Sequence, residues 1–513
     1  MNTTTFVTFG TVWVLSTSMA LSPMLAAETA RKTMKSDVPK VKSLPWYVMA
    51  AAMHRMMLKP PSKFYLREPL SLNLAKATEQ LRALKAEGID VLDVYAPEEG
   101  ATSYGGLDAK NRYALDPGIG TVDDLRRVIH QAHAFHMDVI SSQNLGYAAL
   151  DAPQFIKAED DVRAGRSTRE TKFFFWSKNA DAPPPGTSNS YFFVRPNLPN
   201  YDAKKTEFWQ WSERAQAYFW TRWPGKDANG ATTHLPQYNW GAAEWPEEAS
   251  KVIDFWMNTG LDGMVVDAVN WYIGYDWKTN ASLVATYRRH PGMKLILPEG
   301  GGAFHTDDPT GWVLDGGWTA LYDYGIDIPW EKEKKNRPIL ESINTGNPVI
   351  YEDSLRKFHD PVVASGGILV AYVVDLKDPQ KQQLAEELIA TSGDLPCYCG
   401  PDPVTNHPAS GVAEILKLKA RHPALYQNSL RRRVATDQDQ SVYATERYAA
   451  DGSERLLVAF NFSPDEKNVT VDARAIDGSR YEDLELERRE TPENGGIKLR
   501  LAGYGHRIFR IER

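Results

Sequence analysis

Two acidic residues stand directly after short apolar runs. Asp267 closes Gly263-Met264-Val265-Val266, and Glu299 follows Lys294-Leu295-Ile296-Leu297-Pro298. Two more have similar settings: Asp378 follows the run from Tyr372 to Lys377, and Asp108 lies in a Gly-rich loop after the apolar run Ile89–Tyr95. A single acid at a strand end commonly caps the next helix or pairs with a cation. Four of them, at the ends of parallel strands in one barrel, converge on one mouth. Glycoside cleavage uses such a geometry. One carboxylate attacks the anomeric carbon and a second, kept protonated, delivers its proton to the leaving oxygen. In a retaining pair the two groups are roughly 5–5.5 Å apart, within reach of side chains on neighbouring barrel strands. Asp267 is short and suits a rigidly held nucleophile, while Glu299 is longer and suits proton delivery.

The elements that must position these acids alternate from about residue 72. Leu74 to Ala86 carries apolar residues at helical spacing and stops before Gly88. Ile89–Tyr95 predicts a buried strand, Val122 to His136 an amphipathic helix and Met137 to Ser141 the next strand. Strand–helix–strand units imply parallel strands with right-handed crossovers. The rhythm stops between Asn144 and Pro236, a stretch rich in Pro, Asn, Ser and aromatics, which is too long for a bare loop. It resumes with a helix over Trp245 to Asn258 and strands over Gly263 to Ala268 and Lys294 to Leu297. Pro348-Val349-Ile350 and Ala371-Tyr372-Val373-Val374 are expected as later strands, with a helix over Gln380 to Thr391 and a strand over Leu395 to Cys399. After about Pro423 only short strands between turns remain, at Ser441–Ala444, Leu456–Phe460 and His506–Ile511.

The expected fold class is therefore α/β: a (β/α)8 TIM barrel, with an inserted subdomain after the second or third strand and a C-terminal antiparallel β-sandwich domain. The barrel is expected over residues 45–143 and 237–422, the insertion over 144–236 and the sandwich over 423–513. Phe6 to Leu25 is nearly free of charge and ends in Leu25-Ala26-Ala27, which predicts a signal peptide over residues 1–27 and export to the periplasm or the medium. A membrane anchor is the alternative for that run, although Ser, Thr, Gly and Pro23 dilute it. A net charge of −7 argues against a nucleic-acid partner. Cys397 and Cys399 are too close for an ordinary bridge and are expected as buried small hydrophobes. The 15 Trp and 23 Tyr exceed what the length demands; a large core uses some, and flat aromatic faces also stack on sugars.

At these residues the sequence resembles glycoside hydrolase family 13, the α-amylase family, and its oligo-1,6-glucosidase and trehalose-synthase-like branch. Tyr104-Gly105-Gly106-Leu107-Asp108 through Asp116-Pro117-Gly118-Ile119-Gly120-Thr121 resembles the GYD…DP-x-x-GT loop, and His133 through Ile140 the AH-x-x-G-x-x-VI strand entry. Leu235-Pro236-Gln237-Tyr238-Asn239-Trp240 is similar to PDLNW, and Leu261 through Val269 to VDGFRxDAV. Pro298-Glu299-Gly300 sits where the acid/base belongs, and Lys377-Asp378 where the family has HD. The resemblance implies a retaining glycoside hydrolase or transglycosylase acting on an α-glycoside. Asp267 is then the nucleophile, Glu299 the acid/base and Asp378 the transition-state stabiliser. Asp108, Lys377, Tyr147 and Trp271 become candidate substrate contacts, and an oligosaccharide or polysaccharide the partner.

The departures surround the first sugar. Val265 replaces the Arg two residues before the nucleophile. Ser142, Gly146 and Tyr147 replace an Asp, an Asn and a His, Lys377 replaces a His and Leu107 a Tyr. Lys377 is a candidate replacement for the missing positive charge. The family's Asn metal ligand aligns with Gly146, so no metal or cofactor is predicted. Two readings stay open: an enzyme whose first sugar needs different contacts, or a catalytically silent carbohydrate-binding protein.

Overall fold

The computed structural model describes residues 50–58, 68–102, 105–182, 209–226, 232–269, 277–299, 309–323, 338–373, 376–398, 407–409 and 411–512. The N-terminal apolar run, Trp271 and Cys399 lie outside them.

Eight parallel strands form the barrel: β1 (Ala52–Met57), β2 (Ile89–Tyr95), β3 (Asp138–Gln143), β4 (Gly263–Val266), β5 (Leu295–Pro298), β6 (Ala320–Asp323), β7 (Ile368–Tyr372) and β8 (Leu395–Tyr398). Their pairing order is β5-β4-β3-β2-β1-β8-β7-β6. The β5–β6 seam is joined by the Thr319 hydroxyl, which accepts from the Ile296 N–H at 2.8 Å. Helices follow the strands for local reasons. Asn73 caps Leu74–Ala86 by accepting from the Lys76 N–H, and Thr121 and Asp124 form a reciprocal capping box on Val122–Ala134. Gly88 turns the chain from the first of these helices into β2 at φ 89°, where a Cβ would lie 2.8 Å from Leu416.

Three expectations about elements need correction. Inside the expected barrel bounds, β1 precedes the alternation visible from residue 72, and neither it nor β6 is among the expected strands. Pro348–Ser354 is a helix rather than a strand, because Asn347 caps it and Pro348 occupies its first turn. Asp108 does not lie in a loop; it sits in the strand Gly105–Leu115, paired antiparallel with Glu98–Thr102 beyond β2.

Between β3 and β4 the chain leaves the barrel. It forms the helix Pro153–Arg163 and a small antiparallel sheet from Trp176–Ser177, Trp209–Ser212, Ala217–Lys226 and Thr232–Pro236. Aromatic rings weld this insertion to the barrel. Phe173 packs edge-on against Trp245 of the helix Glu244–Met257, on which Tyr238 stacks at 3.4 Å, while Phe155 packs on Phe174, Trp176 and Phe219 within the insertion. Trp245, Trp256, Trp312 and Trp318 are all buried, so much of the aromatic excess belongs to the core. Among the described residues, no helix is long and apolar enough to cross a membrane.

After the barrel, a six-stranded antiparallel sheet faces the pair Lys467–Asp472 and Gly496–Leu501, with Val434, Leu457, Val471, Leu499 and Phe509 packed between them. This is the expected sandwich. Arg431 ties it to the barrel through Glu352 at 2.6 Å and Asp360 at 2.8 Å. Cys397 is buried in β8.

Candidate active site

Register decides which side chains meet inside the barrel. Arg55 on β1 is level with Asp93 on β2, and Val265 on β4 is level with Ser142 on β3 and Leu297 on β5. Two residues further along β4 and β5, Asp267 and Glu299 emerge side by side at the C-terminal strand ends. They are in direct hydrogen-bond contact, carboxyl to carboxyl. Two carboxyl groups in contact cannot both ionise cheaply, so they share one proton.

Their other partners differ. Asp267 accepts from the Asn144 side-chain amide at 2.9 Å. Glu299 accepts from Arg55 Nη1 at 3.1 Å and from the Ala268 N–H at 3.2 Å. Arg55 is itself nearly inaccessible and holds three partners at once: Nε meets Asp93 at 2.6 Å, and Nη2 donates to the Tyr322 hydroxyl at 2.8 Å. The Tyr95 and Tyr372 rings flank the guanidinium at 5.1 and 5.7 Å, and Tyr372 stacks on Tyr322. The Ser142 hydroxyl donates to Asp93 at 2.8 Å.

The electrostatics follow from these contacts. Burial pushes the Asp267 carboxyl well above the usual carboxylate range, the Glu299 charge pushes it further, and Asn144 and Arg55 only partly offset this. Burial also raises Glu299. The Asp267 hydrogen bond, the Arg55 charge and the Ala268 N–H outweigh it and hold this carboxyl below its ordinary value. Asp93 is raised by its complete burial, against the pull of Arg55 and Ser142.

The remaining candidates are placed as follows. Asp378 caps the helix Pro379–Ser392, one oxygen accepting from the Gln380 N–H at 3.0 Å and the Lys381 N–H at 3.3 Å. It is not among the groups bonded to Asp267 or Glu299. Lys377 is exposed and adopts a left-handed backbone at φ 62°. Asp108 and Tyr147 are both buried, and one anchor serves their segments: Arg112 donates to the carbonyls of Leu107 and Tyr147. Sequence reasoning missed Arg55, Asp93, Asn144 and Tyr322 as site residues.

A second polar cluster lies at the opposite end of the strands. His133, Asp138 and Asp262 each bring a potential ligand atom within 4.8 Å of the others. Asp262 is already engaged there: His133 Nε2 is 2.8 Å from one oxygen, and Lys294 Nζ is 2.9 Å from the other. The Val139 N–H adds a third bond, so the cluster ties β3 to β4 as an ion-pair network. Burial, and then the Asp262 charge, push Asp138 up to about 8.

Residues 75–309 match the Alpha-amylase family, described as alpha amylase, catalytic domain. The chain is similar to an alpha-glucosidase of Schizosaccharomyces pombe, 24% identical over 197 residues, covering 37% of this chain and 29% of that one. It is also similar to a trehalose synthase of Thermus thermophilus, 27% identical over 194 residues, covering 38% of this chain and 17% of that one. The matched stretch thus spans less than a third of either relative. Among solved structures, an alpha-amylase from H. orenii superposes with a TM-score of 0.66 at 13% identity, covering 90% of this chain and 99% of that one. Likeness at that identity is a likeness of fold.

Proposed function

Because the chain belongs to the α-amylase family, glycoside hydrolase family 13, we propose that it is a retaining α-glycoside hydrolase or transglycosylase, with Asp267 as nucleophile and Glu299 as acid/base. The observation that carries this reading is the contact of the two carboxyls, from adjacent strands, at the C-terminal end of the barrel. Asp267 attacks the anomeric carbon while Glu299 gives its proton to the departing oxygen. Glu299, once ionised, then takes a proton from the water or sugar hydroxyl that releases the enzyme-bound sugar. A sugar needs the carboxyls farther apart than hydrogen-bond contact, so substrate must insert between them. The substrate is an α-linked oligosaccharide or polysaccharide, and the N-terminal apolar run supports export of the chain.

Trapping tests the reading. An activated fluoro-glycoside is expected to add one glycosyl mass to the peptide bearing Asp267, and to add nothing to Asp267→Asn. The second reading, a silent binder, is favoured by Arg55 holding Glu299 in its charged form, which opposes proton donation. That reading requires sugar binding with no label on any peptide.

Asp378 has one observed task, the helix cap, and one proposed task, as third carboxylate of the reaction. Asn caps a helix about as well as Asp. Asp378→Asn is therefore expected to keep the melting temperature while lowering turnover by roughly 10²–10³, as lost electrostatic stabilisation does. Unchanged turnover would leave the cap as its whole role.

A further inference from the structure

We propose that Arg55 supplies the cation that β4 lacks at Val265, but positions it on the other carboxyl, so that the substrate-free pair carries its negative charge on Glu299 and its proton on Asp267. The inference deepens the assignment of Asp267 and Glu299 as the working pair and rests on it.

The geometry is one-sided. Val265, level with Ser142 and fully buried, offers Asp267 no charge, and among the described residues Asp267 is bonded to the Asn144 amide besides its partner carboxyl. Glu299 has a guanidinium and a backbone N–H. Arg55 reaches it from β1, which is not a neighbour of β5 in the sheet, so the side chain crosses the barrel interior. Its position is fixed on the remaining sides by Asp93, Tyr322 and the rings of Tyr95 and Tyr372. Among the described residues, the polar groups around the pair include Arg55 from β1, Asp93 from β2, Asn144 beyond β3 and Tyr322 from β6, with the Tyr372 ring of β7 over Arg55. Among the described residues Arg55 is the cation bonded to Glu299, and it is already shared with Asp93, so ionising Asp267 as well would set a second buried negative charge beside the first.

A consequence follows for the reaction. The resting pair is protonated opposite to its working state. The hydrogen bond between the carboxyls provides the route: the proton on the Asp267 oxygen passes to the Glu299 oxygen, leaving Asp267 a carboxylate and Glu299 a carboxylic acid. No other proton donor or acceptor is needed. Arg55 opposes that transfer while it is bonded to Glu299, so insertion of a sugar must loosen this contact. Arg55 is accordingly a positioning residue that sets which carboxyl is ionised before substrate arrives.

The test is a carboxyl titration of the full chain, with 13C in the side-chain carboxyls of Asp and Glu, and resonances assigned through Asp267→Asn and Glu299→Gln. The pair loses its protons in two steps. In the wild type Glu299 is expected to ionise in the first step and Asp267 in the second. Removing the cation together with its counter-ion, in Arg55→Met/Asp93→Asn, avoids stranding a buried Asp93 and is expected to raise the first step by at least about one pH unit. Arg55→Lys, which keeps the charge, is expected to stay near wild type. Asp267 ionising first in the wild type, or a first step unmoved in the double variant, overturns the proposal. If the double variant does not fold, the order of ionisation in the wild type and the position of the first step in Arg55→Lys still decide. This readout needs no turnover. An expected titration in a chain that trapping leaves unlabelled rejects the hydrolase reading and keeps this one.

Discussion

Asp267→Asn is expected to lower turnover by about 10⁴-fold or more, the scale seen when a covalent nucleophile is removed, while the melting temperature stays within about 2 °C of wild type. Both halves follow from the contacts at this residue. An amide is isosteric with a carboxylic acid, and its oxygen still accepts from the Asn144 amide. Its N–H groups can still donate to Glu299, as the proton proposed for Asp267 would. The substitution changes no charge if Asp267 is neutral at rest, so folding has little to lose. Attack on the anomeric carbon has everything to lose, since an amide is a poor nucleophile. Steady-state rates on an α-glycoside, read beside thermal unfolding of the same preparation, check both halves. Turnover above about one part in a hundred of wild type, with deamidation excluded by peptide mass, would remove Asp267 from the nucleophile role.

How much of this was legible in the sequence varied with polarity. Leu74–Ala86 and Ile89–Tyr95 were read at their observed bounds because apolar spacing, an Asn cap and Gly88 agree there. The apolar runs before Asp267 and Glu299 gave β4 and β5 for the same reason. β1 carries no such signal: Ala-Met-His-Arg-Met-Met has no β-branched residue, and its His and Arg are 1% and 3% exposed. A barrel with a charged centre breaks the rule that buried strands are apolar, and the exception that hid β1 also hid Arg55. Asp93 was seen inside a strand, yet its role depends on Arg55 and so stayed invisible. Val349-Ile350 looked like a strand because both residues are β-branched, but the Asn347 cap and Pro348 overrode that local preference. Distance from the strand end matters too. Asp267 and Glu299 stand one residue beyond β4 and β5, whereas Asp378 stands six beyond β7, enough chain to reach a helix cap.

Glu299→Gln is expected to separate substrates by their leaving groups. Sugars leaving as alcohols need a proton in the transition state, and their cleavage is expected to slow by 10²–10⁴, the usual worth of general acid catalysis. Aryl or fluoride leaving groups depart without it, so their first turnover is expected within about tenfold of wild type. The second half-reaction then lacks its base, which predicts a stoichiometric burst of leaving group followed by a slow steady state. Azide, a nucleophile that needs no deprotonation, is expected to accelerate that steady state. Stability should also fall here, unlike at Asp267. Both Glu299 oxygens accept from donors, Arg55 Nη1 at one and the Ala268 N–H at the other. An amide turns one acceptor into a donor facing a donor, at a cost of about 1–3 kcal/mol. The two neighbouring substitutions thus give opposite signatures: Asn at 267 is inactive and stable, and Gln at 299 is selective and less stable. Equal rate losses on both substrate classes, without a burst, would count against Glu299 as the acid. Equal stability in the two variants would count against Arg55 as the group that holds its charge.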